Sequence, residues 1–246
     1  LVSSFHGDPA EVKRALAATK GRVDGIVLMW PEMEKDGILQ SVPPGFPVVL
    51  LGGTEHLHHP QVTLDNSGGA RAAVEHLIQL GHKVLVHLTG PPHNWDAVER
   101  RQAFFAVLGQ YPDVQGLEIP GDFTEESGYL AATTLLELRP RPTAVFAGND
   151  ASAIGLVLGL RARGIQVPRQ VSVVGFDDVP LARFLTPPLT TVGADVQELG
   201  KVAITALMRL RDGSPLPRAT VLPTHLVVRG STAPPPVPGE GGAYGS

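Results

Sequence analysis

Hydrophobic positions along the chain fall into two alternating patterns. One is the short, mostly apolar run: Val23–Leu28, Val48–Leu51, Val62–Leu64, Val84–Leu88, Thr143–Gly148 and Val171–Phe176. Runs of this length, bounded by Gly, Pro, Asn or Asp, predict strands buried on both faces of a parallel sheet. Leu1–Phe5 and Glu118–Ile119 read as further short strands, and Leu226–Val228 as the last one. The other pattern is the stripe at helical spacing. Ala70, Ala73, Val74, Leu77 and Ile78 form one, stopped by Gly81, and Ala153, Ile154, Val157, Leu158 and Leu160 form another, stopped by Gly164. Leu199, Val202, Ala203, Ala206, Leu207 and Leu210 make a third within a helix expected from Val196 to Leu210.

Helix starts are marked as well. Asp8-Pro9 opens a helix through Leu16. Asp96 and Glu99 stand at capping-box spacing ahead of a helix to Leu108, and Thr124 can cap one to about Leu138. Strand and helix alternate throughout, which predicts an α/β protein with parallel sheets covered on both faces. The Pro- and Gly-rich residues 233–246 predict a disordered tail.

The most informative stretch is Val171-Ser172-Val173-Val174-Gly175-Phe176-Asp177-Asp178-Val179-Pro180. A buried strand stops on glycine, an aromatic and two carboxylates. In open α/β sheets ligands sit beyond the carboxyl ends of the strands, so the acidic pair is a candidate ligand contact. Taken alone it reads equally well as a turn. Thr143–Gly148, Asn149-Asp150, the helix to Arg163, Gly164 and Pro168 lead into it as one right-handed βαβ unit.

These residues carry a resemblance. Pro142-Thr143-Ala144-Val145-Phe146-Ala147-Gly148-Asn149-Asp150, then Gly164 through Asp178, then Pro187-Pro188-Leu189-Thr190-Thr191-Val192 resemble the effector-binding half of the lactose-repressor and galactose-repressor family of bacterial transcription regulators. The resemblance runs from about Leu1 to Thr232. It implies two Rossmann-like lobes of the periplasmic-binding-protein type, with a ligand cleft between them. Crossings would lie near Gly90, near Pro188 and between Gly213 and Val221. The first lobe would then be residues 1–90 plus 191–213, and the second 91–190 plus 219–232. In the family a strand, a helix, a hinge and a helix-turn-helix DNA-binding domain precede the segment matching Leu1, so the sequence reads as N-terminally truncated.

Composition narrows the function. The 246 residues are 43% hydrophobic and 18% charged, ordinary for a globular protein. No run approaches the apolar length of a membrane span, and no signal-peptide pattern opens the chain. There is no cysteine, which excludes disulfides and thiolate metal sites and fits a cytoplasmic protein. The net charge of −4 gives no basic footprint for DNA, so operator contact is expected only through a DNA-binding domain outside this chain. No Walker loop, nucleophile elbow or dinucleotide fingerprint appears, and no enzyme activity or cofactor is expected. His56-x-His58-His59 lacks further ligands at convincing spacing and reads as a solvated loop rather than a metal site.

Candidate ligand residues follow from chemistry and from the resemblance together. Arg100, in Arg100-Arg101-Gln102-Ala103-Phe104, matches the family's arginine, although Ala103 stands where the family has glycine. A guanidinium binds two adjacent hydroxyls or a carboxylate with a rigid fork; alone, Arg100 reads as a solvated helix residue. Asp177 accepts from hydroxyls, and Asp178 is expected to accept from backbone donors. Asn149 offers both donor and acceptor at a strand end and can also cap a helix. Trp30, Trp95 and Phe123 fall in expected strand-end loops, where an aromatic face packs on a sugar ring; the plainer reading of each is loop packing. Asp65 is explained equally by a helix cap. The resemblance implies a sugar-like effector, with purines also within the family's range. It further implies a homodimer, to which Ala153–Leu160 is a candidate contributor, although its apolar stripe reads equally well as core. A periplasmic sugar-binding protein of a transporter is the rival reading, because it shares the fold.

Overall fold

The structure, a computed structural model, describes residues 9–19, 21–29, 39–53 and 59–237. The strand expected at Leu1–Phe5, Trp30, and His56 and His58 lie outside the described residues. The chain divides into two compact units, residues 1–64 with 195–222, and residues 65–194 with 223–246.

The first unit holds helix α1 (Pro9–Thr19) and strands β1 (Ile26–Met29), β2 (Val48–Leu51) and β3 (Gln61–Leu64). Helix α6 (Val196–Arg211) and strand β9 (Ala219–Leu222) complete it. The sheet order is β1-β2-β3-β9, and every neighbouring pair is parallel. Leu28, Val48 and Leu50 bury on one face with Leu16, Leu39 and Phe46. Val49, Val62 and Ala203 bury on the other with Leu199, Val202 and Leu207 of α6. The sequence pattern missed β9 because Ala219-Thr-Val-Leu222 is only half-buried at the sheet edge and shows no clear period.

The second unit contains α2 (Asn66–Gln79), β4 (Val84–Leu88), α3 (Trp95–Leu108), β5 (Gln115–Ile119) and α4 (Glu125–Glu137). It continues with β6 (Ala144–Ala147), α5 (Asp150–Ala162), β7 (Ser172–Phe176), β8 (Thr190–Ala194) and β10 (Thr224–Val227). Its six-stranded sheet runs β10-β8-β7-β6-β4-β5, parallel except for the antiparallel β10. Phe104, Phe146, Phe176 and Leu77 fill one face under α2 and α3. Leu88, Val145, Val173, Leu156 and Leu160 fill the other under α4 and α5. Helices α4 and α5 approach so closely that a Cβ on Gly155 would fall 1.9 Å from the Glu125 carbonyl oxygen.

The expected boundary near Gly90 is corrected. The chain passes between units at Leu64–Asp65, Ala194–Asp195 and Leu222–Pro223. β4 pairs with both β5 and β6, and α2 buries its stripe in the core beneath α3, so both belong to the second unit. A buried parallel strand looks the same in sequence whichever sheet it joins. The Ala153–Leu160 stripe is core, leaving only Leu158 exposed among its large apolar residues. The tail expectation is corrected for its first residues: Ala233 donates its N–H to Ser172 Oγ at 3.0 Å, and its carbonyl oxygen lies 3.0 Å from His82 Nε2. Among the described residues no helix is long and apolar enough to cross a membrane.

Candidate functional site

The parallel strands of the second unit all end on one edge of its sheet. There β4 runs out at Thr89-Gly90, β6 at Gly148-Asn149 and β7 at Asp177-Asp178. Phe123 lies over this edge. A Cβ at Gly90 would meet its ring at 2.2 Å and one at Gly148 at 2.8 Å, so the two strand ends must be glycine for the ring to sit there. The described non-glycine residues with positive φ are Phe123 (69°), Asp177 (117°) and Asp178 (49°), all on this edge. Such conformations cost of order 1–3 kcal/mol each and persist where the surroundings over-determine them.

Arg100 sits in the second turn of α3 and is 4% exposed. Its guanidinium carbon lies over the Phe176 ring, 3.6 Å from the centroid, and 5.8 Å from that of Phe123. Nε–H donates to Asn66 Oδ1 at 2.9 Å and Nη1–H to the Gly148 carbonyl at 2.6 Å. The Asp177 carboxylate stands 3.6 Å from Nη1, too far for a good hydrogen bond. Nη2 makes no hydrogen bond within the described residues. Burial pushes the guanidinium pKa down, and the carboxylates of Asp177, Asp96, Glu99 and Asp150 push it back up. Arginine remains a cation under any such balance.

Three carboxylates at this edge have different tasks. Asp150, at the start of α5, is fully buried. Its Oδ1 accepts from the Thr191 hydroxyl at 2.5 Å and its Oδ2 from the Val179 N–H at 2.9 Å. Burial raises its pKa to about 7 against those bonds, with Asp177 and Asp178 adding to the rise. Asp178 accepts from the Arg229 guanidinium at 2.5 Å, not from backbone donors as expected. Arg229 arrives from beyond β10, a partner that local sequence does not reveal. Asp177 has a side chain that is 37% exposed, with the long Arg100 contact as its one ion pair among the described residues. Burial raises its pKa to about 6, opposed by Arg100.

The edge therefore brings Arg100, Asp177, Phe123 and Asn149 together. Asn149 is the N-cap of α5: Oδ1 accepts from Ser152 N at 2.9 Å, and Nδ2 donates to the Phe123 carbonyl at 2.9 Å. Much of its polarity is thus engaged in holding the Phe123 loop. Trp95 opens α3 half-buried. Asp65 caps α2, accepting from Gly68 N at 2.7 Å. The expected Asp96 cap is corrected: Asn94 caps α3, accepting from Ala97 N at 3.1 Å, and Asp96 turns instead to Asn66 at 2.9 Å. Both residues satisfy the capping preference, so only the backbone decides between them. Sequence reasoning missed Asn66, Phe176 and Asp150 as parts of this edge.

The chain matches the family described as "Periplasmic binding protein-like domain" over residues 74–232. It is 35% identical over 216 residues to the ribose operon repressor of Escherichia coli strain K12, covering 85% of this chain and 64% of that protein. The chain belongs to the lactose-repressor (LacI) family. It spans a little under two thirds of that repressor's length. Two solved LacI-family proteins share its fold. The dimeric Lac repressor with an 11-residue C-terminal deletion superimposes with a TM-score of 0.87 at 27% identity, over 96% of this chain and 88% of that one. A LacI family transcriptional regulator from Enterococcus faecium, with bound ribose, gives 0.79 at 28%, over 91% and 84%. These LacI-family relatives are transcription regulators, not enzymes.

Proposed function

We propose that this chain is the ligand-sensing core of a LacI-family transcription regulator. A small polyhydroxylated molecule, a sugar or sugar derivative, binds Arg100 and Asp177 at the carboxyl edge of the second unit's sheet. Binding there alters the grip of the intact homodimer on operator DNA through its DNA-binding domain, which places the protein in the cytoplasm.

The observation that carries this reading is an incomplete polar pair. A buried guanidinium keeps Nη2 unbonded within the described residues, beside a carboxylate it does not quite reach. Vicinal hydroxyls complete such a pair: one accepts from the guanidinium while its neighbour donates to the carboxylate. Phe123 and Trp95 offer apolar faces to the C–H side of a ring, with Trp30 a further candidate. The two relatives named for ribose support the sugar class. Control of DNA binding requires the ligand to prefer one conformational state over another, and the two affinities are linked reciprocally.

A thermal-shift screen tests the reading. D-ribose, other monosaccharides, disaccharides, polyols, sugar phosphates and purines are compared on wild type and Asp177→Asn. At one hundred times its dissociation constant a ligand adds about 2.7 kcal/mol, several degrees in melting temperature. A shift with a neutral sugar that Asp177→Asn loses is expected. A shift confined to purines would replace the sugar, and a shift that survives Asp177→Asn would move the site elsewhere.

A further inference from the structure

Asn66, the first residue of α2, is 1% exposed, and every hydrogen-bonding direction of its amide nitrogen is in use. Nδ2 donates to Asp96 Oδ1 at 2.9 Å and to Glu99 Oε2 at 3.0 Å. Oδ1 accepts Nε–H of Arg100 at 2.9 Å. Carboxylates only accept and a guanidinium only donates. Turning the amide over would set its oxygen against two carboxylates and its NH2 against a cation, so the three partners fix its orientation.

The consequence falls on Arg100. Its guanidinium is pinned at one corner by Asn66, at another by the Gly148 carbonyl, and from below by the Phe176 ring. A planar group held at two corners and one face has no rotation left. Its free Nη2 then points in one direction only.

We propose that Asn66 is a positioning residue for ligand recognition. Locked by Asp96 and Glu99, its amide holds the Arg100 fork, whose Nη1 stands 3.6 Å from Asp177, in the plane that presents Nη2 to the ligand. The inference rests on the reading that Arg100 contacts the ligand. Asp96 and Glu99 act at one remove, by fixing the amide. Glu99 carries a trace of this: burial raises its pKa, and the bond from Asn66 and the charge of Arg100 oppose the rise.

The test is a nitrogen-15 spectrum of the arginine side chains in the intact chain, in wild type, Asn66→Ala and Asn66→Asp. Arg100 Nε–H is assigned by its loss in Arg100→Lys. In Asn66→Ala its exchange with solvent should quicken by about tenfold or more, the scale of one lost hydrogen bond to a charged group. In Asn66→Asp, which keeps the acceptor, it should stay slow while the Glu99 pKa climbs. Should Asn66→Ala fail to melt cooperatively, Asn66→Ser replaces it, since its hydroxyl is too short to reach Nε. Exchange unchanged in a folded Asn66→Ala or Asn66→Ser protein overturns the proposal, as does equal acceleration in Asn66→Asp. Calorimetry with D-ribose as probe supplies the functional arm, with affinity expected to fall about tenfold or more in Asn66→Ala. Absence of D-ribose binding in wild type would count against the sugar reading and leave the exchange result to decide the role of Asn66.

Discussion

The two edges of the second unit's sheet are built on opposite principles. At the amino edge, where β4, β6 and β7 begin, the buried polar groups are neutral and bonded to one another, and the charged pair Lys83–Asp113 lies exposed. His82 Nδ1 meets the Thr143 hydroxyl at 2.8 Å, and Nε2 lies 3.0 Å from the Ala233 carbonyl oxygen. One neutral tautomer satisfies both, donating from Nε2 and accepting at Nδ1. Ser231 Oγ donates to the Val173 carbonyl at 2.6 Å and accepts from Thr190 N at 2.8 Å. At the carboxyl edge the groups are charged, Asp177 and Nη2 of Arg100 lack close partners, and the backbone has positive φ at three non-glycine residues. A satisfied network stabilises a fold. An incomplete and strained one fits the binding site proposed for this edge.

The largest expected effect comes from breaking the satisfied edge. His82→Ala orphans the Thr143 hydroxyl and leaves the Ala233 carbonyl with Ser172 Oγ as its side-chain donor, and should cost roughly 2–4 kcal/mol in urea denaturation. Ligand affinity should hold in the fraction that stays folded. The reverse outcome is expected at the other edge. Asp177→Gly removes a positive-φ non-glycine residue and a carboxylate that burial disfavours. It should raise stability by about 1 kcal/mol while lowering ligand affinity at least tenfold in calorimetry. A variant that loses both would show Asp177 to be structural.

The edges also answer pH in opposite directions. Asp150 has a pKa near 7 in the folded protein and Asp177 near 6, against an ordinary 3.8. The folded state holds these protons more tightly than the unfolded chain. Their stabilisation is complete below about pH 4 and is lost as pH rises through 6 to 7. His82, at the amino edge, is depressed to about 4 from 6.5, chiefly by burial. Here the unfolded chain binds the proton first, so stability that is full above about pH 6.5 is lost as pH falls towards 4. Melting curves between pH 4 and 7 should therefore steepen in favour of high pH in Asp150→Asn and in favour of low pH in His82→Asn. Identical slopes in the two variants would remove the contrast.

Much of this was legible in the sequence. Short apolar runs located β2 and β4 to the residue, and Thr124, Gly81 and Gly164 marked helix ends where they fall. The strand-end rule brought Asn149 and Asp177 forward as candidates and the family resemblance brought Arg100; the three lie at one edge of the sheet. What remained hidden depends on partners far along the chain. Asp178 needs Arg229, fifty-one residues later, and Arg100 needs Asn66, thirty-four residues earlier. Asn66 looked like the second residue of an Asp-Asn helix start, because a buried amide hub has no local pattern. The unit boundary was misplaced for the same reason: which sheet β4 joins is decided by pairing with β5 and β6, and its own five residues suit either.

The most direct test of the central claim, that the carboxyl edge of this unit is the ligand site, is the ligand-induced melting shift of Asp177→Gly beside wild type across the neutral-sugar panel. The account expects a shift of several degrees in wild type that vanishes in the variant, whose own unliganded melting temperature is the higher of the two. An equal shift in both proteins would place the ligand elsewhere.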